Sequence, residues 1–170
     1  ISRGNTATRR VERLRPEETS PEPFAGDGTE CSPTTGTCGD GNNAVDAELV
    51  TPESLAVTPD GSVYIGDRTG DRIRRVDPNG KIVTIAGTGA SCGTPLQGVC
   101  GTQGGLATDA AIGAVTAMAL MSDGTLVFEG GGGGRVLAVT PDGRIWRVAG
   151  FGANDPGPAA EGLPLNTLDV

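Results

Sequence analysis

The chain has 170 residues, of which 36% are hydrophobic, and it contains 29 glycines and 12 prolines but only three Phe, one Trp and one Tyr. Glycine and proline interrupt almost every window that could form a long amphipathic helix, so an all-β protein with many short strands is predicted. The formal net charge of −8 disfavours a partner held mainly by phosphate contacts, because such binding depends on clustered Lys and Arg.

Residues 1–30 predict a partial β-sheet unit. Ile1–Asn5 resembles the end of a second strand, Arg10–Val11 a third and Phe24–Gly26 a fourth. The segment carries four arginines, Arg9, Arg10, Arg13 and Arg15. We interpret them as a solvated strand edge and not as a nucleic-acid surface. Because the chain opens without an initiator Met or a signal-peptide pattern, we expect a processed chain or an excerpt of a longer one.

Residues 31–53 predict a cysteine-containing loop followed by a linker. Cys31 and Cys38 lie among Gly, Thr and Pro residues, which favours a local disulfide. The next segment, Gly39–Asn43, offers carboxylate and carbonyl oxygens of the kind that bind calcium. Its spacing matches neither the EF-hand loop nor the nonapeptide calcium repeat, so turn chemistry is the preferred interpretation and no cofactor is expected.

Residues 54–90 predict one complete unit of four strands. The expected strands are Leu55–Thr58, Val63–Gly66, Ile73–Asp77 and Ile82–Ala86. The turn Pro59-Asp60-Gly61 combines a fixed proline φ, an Asp that can bond its own backbone and a Gly free to take positive φ. Such turns predict hairpins, and therefore a four-stranded antiparallel meander.

The strands of this unit differ in composition. The first strand carries slim residues suited to an innermost position, whereas the third carries Arg72, Arg74 and Arg75 and is predicted to be more polar. The turn before the fourth strand, Pro78-Asn79-Gly80, repeats the chemistry of the first turn.

Residues 91–114 predict a second cysteine-containing loop and linker. Cys92 and Cys100 would form a second local disulfide, and each bridge would contribute about 2 to 3 kcal/mol by the chain-entropy argument. Such bridges persist outside the cytosol. The alternative is a zinc site, but the chain has no His and no Cys-x-x-Cys, so zinc would need all four thiolates from two distant loops.

Residues 115–150 repeat the earlier unit with a period of 63 residues. Ser54–Gly87 aligns with Ala117–Gly150 without a gap, which is the signature of a repeat architecture. The matched positions are Asp60–Gly61 with Asp123–Gly124, Arg72 with Arg135, Pro78 and Gly80 with Pro141 and Gly143, and Ala86–Gly87 with Ala149–Gly150.

Residues 151–170 predict a linker to another unit, because Leu163–Asn166 resembles the approach to a first strand. A single meander cannot bury both of its faces, whereas meanders stacked around an axis can, so the units are predicted to be β-propeller blades. The chain then holds two full blades and two partial ones. A closed ring needs more, so we expect either a piece of a longer chain or one protomer of a ring completed by others.

The repeat resembles the NHL family of β-propellers. The resemblance is carried by Leu55–Gly61, Val63–Asp67, Asp71–Val76 and Ile82–Gly87, and by the linker residues Phe24–Gly28, Gly39–Gly41 and Ala44–Leu49. The cysteine loops between blades look more like the NHL propellers of teneurins and of bacterial YD (Rhs) repeat proteins. In those proteins, the resemblance implies, the propeller is an extracellular module fixed to a large β-shell that serves adhesion or assembly.

The second full unit departs from this pattern where Asp67 is matched by Gly130. In the family that Asp ties neighbouring strands together, so the contacts are in doubt here, and Glu129 is the candidate substitute. Gly130 opens the five-glycine run Gly130–Gly134, which we interpret as a flexible hairpin tip in preference to a close backbone approach.

The resemblance implies a non-catalytic extracellular or cell-surface segment that acts as a scaffold or recognition surface. Its expected partners are other domains of the same parent chain or other protein chains, with neither nucleic acid nor membrane insertion. One alternative is a self-assembling subunit of a ring or filament, a homo-oligomer joined by strand pairing. A second is a propeller lyase or hydrolase whose site lies in blades outside this sequence.

The chemistry-bearing residues favour the non-catalytic alternative. Related propeller enzymes, the amidating lyase and streptogramin lyase, depend on histidines, and this chain has none. The remaining candidate acids lie in turn or linker contexts and are expected to be structural. They are Asp40, Asp46, Glu48, Asp67 and Asp71. Five aromatic residues are too few for an RNA-stacking platform, and no catalytic or metal-binding residue is predicted.

Overall fold

The computed structural model describes the backbone of residues 2–5, 8–92, 103–131 and 134–150, with side chains from residue 8 onward. These residues form eleven strands in three antiparallel sheets, plus two short 3₁₀ helices. The all-β prediction of stacked antiparallel blades is confirmed. Among the described residues there is no helix of the length and apolarity that crossing a bilayer requires.

The first sheet has three strands. They are β1 (Ser2–Asn5), β2 (Arg10–Arg13) and β3 (Glu22–Ala25), paired in that order. These are the second, third and fourth strands of the predicted partial unit. The arginines of this sheet lie beside acidic residues, with Arg9 paired to Glu30 at 2.7 Å and Arg15 to Glu18 at 2.8 Å.

The second sheet is a four-stranded meander. Its strands are β4 (Pro52–Val57), β5 (Val63–Asp67), β6 (Arg72–Val76) and β7 (Ile82–Ala86). Strand β4 begins at Pro52, ahead of the unit boundary predicted at residue 54. Pro52 pairs with Asp67 across a bulge, and a proline is tolerated at the first position of a strand because no ladder donor is needed there.

The third sheet repeats the second. Its strands are β8 (Ala117–Leu120), β9 (Leu126–Gly130), β10 (Arg135–Val139) and β11 (Ile145–Ala149). The hairpin turns of the two sheets have the same geometry: a left-handed glycine follows an Asp or Asn at Gly61, Gly80, Gly124 and Gly143, with φ between 79° and 89°. In the first of these turns Asp60 accepts a hydrogen bond from the Ser62 N–H at 3.0 Å, and Asp123 does the same for Thr125 at 2.8 Å.

The first linker is hydrogen-bonded to the outermost strands of two neighbouring sheets. Its 3₁₀ helix, Ala44–Asp46, accepts a bond from the Gly26 N–H, just after β3, at 2.8 Å. On its other side the Gly41 N–H donates to Ile82 O in β7, and the Ala44 N–H donates to Gly80 O, both at 2.8 Å. The linker thus joins the first sheet to the second along their outer edges.

The second linker makes the equivalent bonds between the second and third sheets. The Gly87 N–H donates to Ala107 O in the 3₁₀ helix Ala107–Asp109, at 2.9 Å. The Gly104 N–H donates to Ile145 O in β11 at 2.8 Å. The structural repeat is therefore a sheet together with its linker.

Each hydrophobic core lies between consecutive sheets. The core between the first and second consists of Val11, Ala25, Ala44, Ala47, Leu49, Val63, Ile65, Val76 and Ile82. The core between the second and third consists of Ile73, Ala86, Ala107, Ala110, Ile112, Val115, Leu126, Phe128, Leu137, Val139 and Ile145. Every sheet buries its apolar face against its neighbour, as stacked propeller blades do.

Candidate functional site

The first cysteine-containing loop is closed by a disulfide between Cys31 and Cys38, whose Cα atoms are 5.3 Å apart. Both cysteines are buried, whereas Ser32, Pro33 and Thr35 between them are exposed. Cys92 is also disulfide-bonded. Cys100, its predicted partner, lies outside the described residues.

Arg72 attaches this loop to the second sheet. Its Nη2 donates to Gly36 O at 2.6 Å and to Thr88 O at 3.2 Å, while Nη1 lies 3.3 Å from Cys38 Sγ. The Thr34 hydroxyl adds a bond to Gly89 O at 2.7 Å. The cysteine-containing loop is therefore docked along the blade, and Ser32, Pro33 and Thr35 remain exposed.

Arg74 holds the segment that follows the loop. Its Nη2 donates to Cys38 O at 3.1 Å and to Asp40 Oδ1 at 2.6 Å, and the side chain is 1% exposed. Arg72 and Arg74 are buried, because the linker covers their face of β6. Arg75 points to the other face and is 37% exposed.

The oxygen-rich segment Gly39–Asn43 is occupied by cationic side chains. Asp40 binds Arg74, and Asn43 Oδ1 accepts from Lys81 Nζ at 3.0 Å. Asp46, another candidate acid, accepts from the Asn43 amide at 3.1 Å, and the Glu48 carbonyl lies 3.5 Å from Arg74 Nη1. Within the described residues no group of three or more potential metal ligands is found.

Asp67 is buried and closes the backbone at the start of β4. Its carboxylate accepts from the Val50 N–H at 2.9 Å and from the Thr51 N–H at 2.5 Å. Burial raises the pKa of Asp67 above its usual value, although the two N–H donors and the guanidinium groups of Arg74 and Arg72 act in the opposite direction. Strand-tying is the role that the family resemblance implies for this residue.

Asp71 ends the β5–β6 hairpin in a left-handed conformation, with φ of 50°. The residue is 9% exposed, and its carboxylate has no hydrogen-bond partner in the part of the chain that the structure describes. Burial, reinforced by the negative charge of Asp67, raises the pKa of Asp71 to about 6. The group therefore titrates near neutral pH.

Asp71 lines a cavity of about 540 Å³ between the second and third sheets. Thr34 of the cysteine loop borders it on one side, Arg68 and Thr69 of the hairpin on another, and Gly113 on a third. Such a volume lies within the range of small-molecule sites. This cavity, with its buried carboxylate, is the candidate functional site of the described region.

The third sheet replaces the Asp67 contact with a close approach of backbones. A Cβ on Gly130 would lie 2.8 Å from Ile112 O, and one on Gly113 would lie 2.7 Å from Gly131 Cα. Glu129 accepts a bond from the Thr116 hydroxyl at 2.8 Å, but it is exposed and does not reproduce the buried carboxylate.

The first residues of the glycine run, Gly130 and Gly131, are therefore glycine because the neighbouring backbone packs closely against them. Residues 132–133, at the centre of the predicted flexible tip, lie outside the described residues. Arg135, which aligns with Arg72, is only half-buried.

Sequence reasoning missed the roles of Arg74 and Asp71. Arg74 was one of three arginines in a strand, and only its place on the same face as Arg72 could have indicated that both meet the linker. For Asp71 the available signal was its alignment with Gly134, since both positions are left-handed in the structure. Because glycine fills this left-handed position in the other unit, the backbone conformation and not the side chain fixes where Asp71 lies.

The three stacked antiparallel sheets, joined edge to edge by their linkers, define consecutive blades of a β-propeller. A structural genomics protein of unknown function from Bacteroides thetaiotaomicron has the same fold, with a TM-score of 0.54 and 20% identity over 75% of this chain and 28% of that one. Streptogramin B lyase gives a TM-score of 0.46, which carries no functional argument.

The particular type of propeller follows from the sequence comparisons. Residues 3–72 match the family model described as the teneurin NHL domain. Mouse teneurin-3 is 43% identical over 68 residues, which is 39% of this chain, and Caenorhabditis elegans teneurin-1 is 35% identical over 81 residues, or 46%. The predicted resemblance to teneurin NHL propellers is confirmed for this region. The chain spans only 2% and 3% of the length of these two relatives.

Proposed function

We propose that this chain is a non-catalytic segment of an extracellular, disulfide-bonded NHL propeller, and that it acts as a scaffold or recognition surface in a larger teneurin-like protein. The match of residues 3–72 to the teneurin NHL domain is the observation that carries the proposal. The link to proteins with YD repeats stays a prediction.

The docked cysteine loop supports a recognition role. Arg72 and Thr34 fix its backbone, while Ser32, Pro33 and Thr35 remain exposed. A rigid loop presents its side chains without a large ordering cost on binding, which favours recognition. The proposed partners are neighbouring domains of the parent chain or other proteins.

One substitution tests both the extracellular location of the protein and the cysteine loop as its contact surface. Thr35→Asn places an Asn-Gly-Thr glycosylation acceptor on the exposed loop. In the secreted parent protein we expect this variant to gain a glycan and to lose contact with its partner, measured by intact mass and by co-purification. An unmodified variant would contradict passage through the secretory pathway, and a glycosylated variant with unchanged binding would contradict the loop as the contact surface.

The matched control is Lys81→Thr, which creates the same tripeptide at Asn79 in the exposed β6–β7 turn. We expect it to be glycosylated without loss of binding. Intact mass before and after reduction adds an independent check, because two disulfides predict a gain of about four hydrogens, in keeping with an oxidising compartment.

Self-assembly is the second candidate. Within the described residues β1 pairs only with β2, and this candidate assigns the other edge of β1 to a strand of a second chain. This hypothesis predicts oligomers that grow with concentration in light scattering. A strictly monomeric species at high concentration would contradict it.

A further inference from the structure

We propose that the cavity between the second and third blades binds a small organic molecule through a primary ammonium group, with Asp71 as its anionic anchor. This inference goes beyond the scaffold role and does not depend on the partner of the loop.

The shape of the cavity favours an organic ligand. Its volume of about 540 Å³ is far larger than a single ion needs, and its lining combines Thr34, Thr69 and Ser91 with the carboxylate of Asp71. A calcium site would need six to eight oxygen ligands around one point, several of them carboxylates. Asp71 is the only carboxylate among the lining residues.

The charged groups around Asp71 favour binding of a cation, because the neighbouring arginines are directed at other acceptors. Arg72 is directed at Gly36 O and Thr88 O, and Arg74 is directed at Asp40. Arg68, on the rim, lies 3.4 Å from Glu53 and is half-exposed. The charge of Asp67, which acts on Asp71, is of the same sign and raises the pKa of Asp71 further. A buried carboxylate without a partner is costly, and a bound cation removes that cost.

The undescribed segments next to the cavity in sequence contain no basic side chain. Residues 93–102 follow the lining residue Cys92, residues 132–133 follow the lining residue Gly131, and neither segment contains Lys or Arg.

The lining residues favour a primary ammonium group over a quaternary one. None of the ten lining residues is aromatic, so the cavity lacks the ring faces that hold quaternary ammonium groups. A primary ammonium has three N–H donors, and the cavity is lined by Asp71 together with the hydroxyl-bearing residues Thr34, Thr69 and Ser91. Its binding requires the ionised carboxyl, so affinity falls as the pH drops below about 6, the pKa of Asp71.

The test uses the 170-residue chain with ¹³C-labelled Asp and compares ethanolamine with ethylene glycol, its uncharged match. We expect ethanolamine at pH 7.5 to shift the Asp71 carboxyl signal, to perturb the amides of Thr34, Thr69 and Ser91, and to lower the pKa read from the carboxyl titration. Ethylene glycol, tetramethylammonium and calcium chloride should leave these signals unchanged. A response to calcium alone, or no response to ethanolamine, would overturn the proposal.

Two variants test whether the Asp71 carboxylate is the group that binds ethanolamine. Asp71→Asn keeps the shape and tolerates the left-handed backbone, and we expect it to weaken ethanolamine binding by about tenfold or more. Glu17→Gln, which removes an exposed carboxylate elsewhere, should leave binding unchanged. Equal binding by Asp71→Asn and the parent chain would refute the assignment. The titration of the parent chain decides the question without any variant.

Discussion

Asp67 and Asp71 stand four residues apart on the same hairpin and differ in what surrounds their carboxylates. Asp67 accepts two backbone N–H groups, so its negative charge is part of the fold. Asp71 faces a cavity and has no hydrogen-bond partner within the described region. Because hydrogen bonds stabilise the Asp67 carboxylate, whereas burial and the charge of Asp67 penalise the Asp71 carboxylate, removing each should have opposite effects on stability.

The first prediction concerns Asp67. Asp67→Ala leaves the Val50 and Thr51 N–H groups without an acceptor, and we expect it to lower the free energy of unfolding by about 2 to 4 kcal/mol. Urea unfolding with an unchanged slope measures this loss. Asp123→Ala, in an exposed turn, serves as the control and should cost less than about 1 kcal/mol. Equal losses for both variants would contradict the buried-cap role.

The second prediction concerns Asp71 and pH. Its folded pKa of about 6 lies above the ordinary value of 3.8, so between these values the folded state holds more protons than the unfolded one. Its contribution to stability is therefore most favourable below about pH 4 and is lost as the pH rises through 6. At pH 7 we expect Asp71→Asn to be more stable than the parent chain by about 1 to 2 kcal/mol.

Urea midpoints between pH 4 and pH 7 test this difference. The stability gap between Asp71→Asn and the parent chain should widen as the pH rises. Subtracting the two curves removes the contributions of Asp60, Asp77 and Asp142, whose pKa values are lowered by local hydrogen bonds. A gap that stays constant with pH would show that Asp71 does not titrate in this range.

Single residues were only partly predictable from the sequence. Turn positions such as Gly61 were predictable, because the local Pro-Asp-Gly pattern requires a residue that takes positive φ. The environment of Asp71 was not predictable, since the cavity is built from the cysteine loop, the hairpin and the start of the next blade. No local pattern records that meeting of distant segments.

Among the elements, β6 connects the blade to the loop that precedes it. Alternation along the strand puts Arg72 and Arg74 on the face covered by the linker and Arg75 on the other. Arg74 and Arg75 are therefore suited to a comparison, because they are the same residue type on adjacent positions and differ in burial.

The third prediction uses this pair. Arg74→Met keeps the apolar volume but removes the donors to Asp40 and Cys38 O, and we expect a loss of about 2 to 4 kcal/mol. Arg75→Met breaks an exposed pair with Asp60 and should cost less than about 1 kcal/mol. Chemical unfolding measures both. Hydrogen exchange should also quicken at Asp40 in the first variant alone, and similar behaviour of the two would argue against the docking role.

Element boundaries were predictable where tight turns bound a strand. Strand β7 has the predicted limits, Ile82–Ala86, because Gly80 and Gly87 flank it. Strand β4 starts earlier than predicted because Pro52 joins the ladder through a bulge opposite Asp67. That pairing depends on a residue fifteen positions away, so the local sequence does not reveal it.

At the scale of the whole molecule, stability is shared between neighbours. Each core belongs to two consecutive sheets, and each linker bonds the outer strands of the same two sheets. In such an array the free energy is a sum of repeat and interface contributions, so damage should stay close to where it is made.

The fourth prediction tests this locality. Leu137→Ala creates a cavity in the core between the second and third sheets and should cost about 2 to 4 kcal/mol. Amide exchange should accelerate in residues 103–150 and remain slow in the core strands of residues 8–50. Val148→Ala, on the exposed side of neighbouring β11, is the control. Uniform acceleration along the chain would indicate one cooperative unit instead.

The linkers have a consequence for how much length the chain can gain or lose between blades. From Gly26 to Gly41 the chain takes fifteen steps, and from Gly87 to Gly104 it takes seventeen, yet both linkers make the same backbone bonds at their ends. The difference in length is confined to the cysteine-containing segments. A two-residue difference in these segments thus leaves the bonds that set the spacing of the described blades intact.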